Sequence, residues 1–174
     1  FSNEIEATID VDQWMRTWAI MGLYGNDDQY GRAYPHNWRL YQRPTDGRLV
    51  ALPWDLDRAF QLGTSDSLFP NAADALGNFQ NIRNLFNVIA FKRQFDSHVL
   101  DLVNTTFNST YMTPWIDHLA TVTGEGGEFS GIAGYVGARA SYALTTLPAS
   151  VPFGADTLVP LRAGATISWK IAGA

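Results

Sequence analysis

Residues 36–57 read His36-Asn37-Trp38-Arg39-Leu40-Tyr41-Gln42-Arg43-Pro44-Thr45-Asp46-Gly47-Arg48-Leu49-Val50-Ala51-Leu52-Pro53-Trp54-Asp55-Leu56-Asp57. From Asn37 to Arg43 the side chains alternate, with Trp38, Leu40 and Gln42 on one side, which predicts a strand. Thr45-Asp46-Gly47 is a turn, and Asp-Gly is a strong hairpin signal because it tolerates the left-handed backbone of a tight reversal. Arg48 to Trp54 is the expected return strand. Pro53 ends it, since it has no N–H to give to a ladder. The hairpin therefore opens on an amide, Asn37, and closes on two carboxylates, Asp55 and Asp57. If Asp55 and Asp57 are extended, their side chains project to the same side about 7 Å apart and can address one metal cluster.

Upstream, Asp10-Val11-Asp12-Gln13 carries a helix start. Asp10 can accept from a free backbone N–H and Gln13 can reach back to it, as in a capping box. Val11, Trp14, Met15, Trp18 and Met21 recur at helical spacing, so a bulky aromatic face goes into the core. Gly25 is the expected stop. Asn26 to His36 is polar and without apolar period; it reads as a long loop, and loops of that length are often functional.

Downstream, residues 61–81 are rich in Gly, Ser, Asp and Asn and read as an irregular excursion. Leu85 to Val103 predicts one helix, with Leu85, Val88, Ile89, Phe95, Val99, Leu102 and Val103 apolar. Thr113-Pro114 predicts the start of another, Pro114 in its first turn and Trp115, Leu119 and Val122 inward. Gly124 to Gly127 is an expected turn, and Phe129 to Leu147 a last helix. After Pro148 the composition changes. Leu158–Leu161 and Thr166–Ile171 read as strands, so residues 149–174 are expected to be a linker and the start of a β-rich module. The expected fold class is α+β, mainly α, with residues 1–148 as one unit.

Composition narrows the function. The 174 residues are 46% hydrophobic and 13% aromatic, enough for a sizeable core and against wholesale disorder. A net charge of −5 argues against a nucleic-acid partner. With no Cys there is no disulfide scaffold, thiolate metal site or cysteine nucleophile. No apolar run is long enough to predict a membrane span. Phe1 to Glu6 carries two acids and no basic region, so it is not a signal peptide. The chain opens mid-pattern without Met, so it reads as a piece of a longer protein whose export signal would lie upstream.

The order of elements carries the chemistry. A buried helix leads to an acidic loop, an Asn, a hairpin and a paired-carboxylate motif. A protein kinase catalytic lobe has this order: a loop Asp accepts the substrate hydroxyl proton, and an Asn and a second Asp hold Mg²⁺ on the nucleotide phosphates. Hard divalent cations want carboxylate and amide oxygens. The residues themselves are similar to the CotH kinase family, the spore coat protein H-like atypical kinases. The similarity lies in Asp10-Val11-Asp12, in Gly25 to Gly31, in His36-Asn37-Trp38-Arg39-Leu40-Tyr41 and in Leu52 to Phe60. Tyr111 to Asp117 and Ile132, Tyr135 and Arg139 also fit, so the resemblance covers roughly residues 5–148.

That resemblance implies a kinase-like C-terminal lobe, with the hairpin between catalytic loop and metal motif. It implies ATP as cofactor, with Mg²⁺ or Mn²⁺ and Ca²⁺ as a third candidate, and a protein partner offering Ser/Thr hydroxyls. It also implies a secreted, extracellular or spore-surface bacterial setting. Asp28 resembles the catalytic-loop Asp, Asn37 the metal-binding Asn and Asp55 the metal-binding Asp after the hairpin; Asp57 is the second acid. Asn37 follows Asp28 by nine positions, against five in the kinase pattern, so the loop must bulge and Asp27 is an alternative base. No His-Arg precedes the Asp, and no Gly-rich loop or gripping Lys lies upstream, since the lysines are Lys92 and Lys170. The fragment alone is thus expected to be inactive.

Other readings stand beside this one. Asp27-Asp28 also suits a solvated turn, and Asp55 a cap on a helix from Leu56. Trp54 with two carboxylates suits a sugar-cleaving site. A non-catalytic surface or spore module on the same scaffold is the main alternative. Asn104-Thr105-Thr106 and Asn108-Ser109-Thr110 match the glycosylation triplet.

Overall fold

The computed structural model describes residues 1–32, 36–70 and 79–148. The expected linker and β module at 149–174, and part of the 61–81 excursion, lie outside the described residues. Seven helices and one hairpin are described: α1 (Ser2–Thr8), α2 (Val11–Tyr24), β1 (Trp38–Gln42), β2 (Leu49–Pro53), α3 (Gln80–Phe86), α4 (Ile89–Thr105), α5 (Ser109–Thr123), α6 (Gly126–Phe129) and α7 (Ile132–Thr146). The fold is mainly helical with a two-stranded antiparallel sheet, as expected. None of these helices is long and apolar enough to cross a membrane.

α2 is the central element. Asp10 caps it, its Oδ1 accepting from Gln13 N at 3.2 Å, and Gly25 ends it in the left-handed conformation at φ 61°. The expected capping box is only half formed. Gln13 sends its side chain to β2 instead, where Oε1 accepts from Ala51 N at 2.8 Å and Nε2 donates to Ala51 O at 2.5 Å. One amide thus serves as a stand-in neighbouring strand and closes the open edge of β2. Trp14 Nε1 donates to Leu49 O at 2.9 Å, and Arg43 reaches Asp10 at 2.7 Å. The hairpin is therefore docked on the first turns of α2. Its register pairs Trp38 with Pro53 and Gln42 with Leu49.

Trp18 stacks on Trp38 at 5.6 Å and meets Trp14 edge-on at 5.4 Å, which joins α2 to β1. α4 lies along α2 through Phe91, Phe95, Val99 and Val103, all buried. Ile89, expected inward, is 55% exposed. Val88 and Asn87 break the expected single helix in two, with α3 ending at Phe86. α1 had no counterpart in the sequence reading.

Two further expectations are corrected. α5 begins at Ser109, with Asn108 Oδ1 accepting from Tyr111 N at 2.9 Å, so Pro114 sits inside the helix and Thr113 does not cap it. The helix face moves with the start: Ile116 is buried, whereas Trp115, Leu119 and Val122 are 57%, 46% and 68% exposed. Gly126 to Phe129 is a short helix rather than the tail of a turn, and α7 starts at Ile132. Of the two glycosylation triplets, Asn104 is exposed, while Asn108 spends its amide on the cap and on Val103 O.

Candidate functional site

The site forms where α2 ends and the hairpin closes. Gly25 is required there. A Cβ on it would lie 1.9 Å from Tyr135 Oη, and its φ of 61° disfavours any side chain. The chain then turns through Asn26, which is fully buried. Its Oδ1 accepts from Asp28 N at 2.9 Å in an Asx turn, and its Nδ2 donates to Asp55 O at 3.5 Å. Phe60 N donates to Tyr24 O at 2.6 Å and Leu62 N to Gly25 O at 3.0 Å. The acidic loop after α2 and the acidic segment after β2 are thus tied side by side.

Asp28 and Asn37 meet directly despite their spacing. Asn37 Nδ2 donates to the Asp28 carbonyl at 2.7 Å and to its Oδ2 at 3.2 Å. The Asp28 Oδ1 pairs with His36 Nε2 at 2.5 Å. Asn37 O accepts from Trp54 N at 3.3 Å, one step beyond the ladder, which brings Asn37 beside Asp55. Both Asn37 and Asp55 have φ 56°, a left-handed conformation that, among non-glycine residues, Asn and Asp adopt most readily. The two left-handed residues turn the chain sharply at the open end of the hairpin, one just before β1 and one just after β2.

Asp55 is therefore not extended, and Asp57 opens a turn with Ala59 N on Leu56 O at 3.0 Å. The expected same-side projection of the two carboxylates fails, and Leu56 does not begin a helix. Both carboxylates are exposed, and neither has a hydrogen bond or ion pair among the described residues. Asp27 is differently placed: Arg58 Nε and Nη2 donate to its two oxygens, each at 2.7 Å. That fork holds the Asp27 carboxyl below the usual range, against a smaller opposing push from burial.

The donors present are the hard oxygens a small divalent cation takes. Asn37 Oδ1 accepts no hydrogen bond among the described residues, and the Asp55 carboxylate is exposed beside it. No three acidic or histidine residues converge into a closed cage among those described. Mg²⁺ is usually held by one or two carboxylates with phosphate and water completing the shell, so the residues fit that kind of site.

Asn26 and Arg58 organise the two loops and were not among the site residues expected from sequence. The Asn-x-Asp spacing after a helix-ending Gly is an Asx-turn signal for Asn26. Arg58 carried no signal, because its partner lies 31 positions away.

The class defined so far is a mainly helical domain whose hairpin brings an amide and carboxylates from two loops to one end. The model of the CotH kinase protein family matches residues 1–127, and the chain belongs to that family. A stretch of 28 residues is 68% identical to a protein named dihydroorotase from Laribacter hongkongensis (strain HLHK9). That stretch covers 16% of this chain and 8% of that protein's length.

Proposed function

We propose that this chain is the catalytic-lobe portion, over residues 1–148, of an atypical protein kinase that transfers phosphate from ATP to protein Ser/Thr hydroxyls. Asp28 is the base that accepts the hydroxyl proton. Asn37 and Asp55, with Asp57, hold Mg²⁺ or Mn²⁺, which supplies charge neutralisation on the phosphates when bound. The protein works at a cell or spore surface. The observation that carries this is the meeting of Asp28 with Asn37 at 2.7 and 3.2 Å beside the left-handed Asp55. Asp27 is the weaker base, because the Arg58 fork holds its carboxyl below the usual range and so lowers its proton affinity. The test is ATP turnover by the full-length protein against Asp28→Ala and Asp55→Ala. A drop of about a hundredfold or more is expected for a lost catalytic base. Equal turnover in all three proteins defeats the assignment.

A non-catalytic surface module is the second reading. It is favoured by the exposed apolar face of α5, made by Tyr111, Trp115, Leu119 and Val122. Tight metal-dependent ATP binding counts against it. The sugar-cleaving reading has less support, since Arg39 lies 4.6 Å over the ring of Trp54, where a sugar would stack.

A further inference from the structure

Phosphate recognition needs positive charge from the protein as well as from metal. The described residues before Lys92 contain no Lys, so within this lobe any cationic side chain near the site is an Arg. Most arginines are committed elsewhere. Arg139 is fully buried among backbone carbonyls, and buried Arg32 donates to Ser67 O. Arg43 lies between Asp10 and Asp46 at 2.7 and 2.5 Å. Arg39 covers Trp54. Arg16 reaches Asp101 on the far side of α2.

Arg58 differs from all of these. A guanidinium has two faces for bidentate binding: Nε with one Nη along its side, and the two Nη groups at its end. Asp27 takes the side face, through Nε and Nη2. The end face, Nη1 with the outer N–H of Nη2, has no partner among the described residues, and the side chain is 49% exposed. Arg58 follows Asp57 in the second acidic segment and its fork reaches Asp27 in the first, so it links the two. Asp27 thus removes most of the rotamer freedom of a long side chain while leaving a planar donor pair open.

We propose that Arg58 is a phosphate-binding residue, whose end face grips oxygens of the nucleoside triphosphate while Asp27 orients it. This rests on the kinase reading of the same site. It gives Asp27 a positioning role in place of the catalytic one.

The test is calorimetric binding of ATP, and separately of inorganic tripolyphosphate, to the full-length protein with Mn²⁺. The variants are Arg58→Gln, Arg58→Lys, Asp27→Asn and Asp55→Ala. Arg58→Gln is expected to weaken both ligands by about tenfold or more, the size of one charge-assisted bidentate contact. Arg58→Lys, which keeps the charge and loses the fork, falls between it and the wild type. Asp27→Asn keeps the cation but loosens it and weakens binding less than Arg58→Gln. Circular dichroism shows whether Arg58→Gln is folded; if it is not, the comparison of Arg58→Lys with the wild type decides. If Asp55→Ala loses binding while both Arg58 variants bind like the wild type, the role of Arg58 is overturned and the kinase reading stands. If the wild type binds neither ligand, both are overturned.

Discussion

At the scale of single residues, the neighbouring acids Asp27 and Asp28 show how much a partner decides. Both stand in one polar loop, and nothing local separates them. Asp27 meets Arg58, 31 positions away beyond the hairpin, whereas Asp28 meets His36 and Asn37 at the far end of its own loop. Asp46 is a third acid whose neighbours set its behaviour. Hydrogen bonds from Arg43 hold its carboxyl at about 2, below its ordinary 3.8. A carboxyl depressed in the folded state contributes stability above its unfolded value and loses it as pH falls through the folded one. Stability should therefore decline between about pH 3.8 and about pH 2 as this turn is protonated. Asp46→Asn should remove that share, so its urea midpoint should change less over the window than the wild type's. An unchanged slope would show that the Arg43 contact contributes nothing measurable.

At the scale of elements, the hairpin and α2 were legible because their signals are local and agree. Asp-Gly marks the turn, Pro53 the strand end, Asp10 the cap and Gly25 the stop. α5 was misread because two start signals compete. Pro114 favours a first turn, whereas Asn108 supplies a cap whose Oδ1 takes Tyr111 N at 2.9 Å and whose Nδ2 gives to Val103 O at 3.0 Å. The cap prevails, and Pro114 is left inside the helix without an N–H for Thr110. Pro114→Ala should accordingly raise stability by roughly 1–3 kcal/mol, read as a higher urea midpoint at unchanged slope. A destabilised variant would mean that the proline's restriction of the unfolded chain outweighs the missing bond.

At the scale of the whole molecule, Arg139 holds distant segments together. It is fully buried on α7 and donates to the carbonyls of Gly22 on α2 and of Gly63, Thr64, Asp66 and Ser67 on the loop beyond the acidic motif. Burial lowers the pKa of this guanidinium, and carbonyl dipoles rather than a carboxylate receive its donors. Arg139→Met should leave those oxygens without partners in the interior and cost on the order of 3 kcal/mol or more. Thermal unfolding measures this, and a shift within a degree of the wild type would refute it. Alternation, turn chemistry and capping are properties of neighbouring residues, so the sequence by itself determined the hairpin, the central helix and the two acidic segments beside them. The long-range contacts were decided only by tertiary structure: Gln13 on Ala51, Asn26 on Asp55, Arg58 on Asp27 and Arg139 on its carbonyls. Each satisfies a polar group whose partner lies tens of residues away, and no local pattern along a chain encodes which buried donor will meet which acceptor.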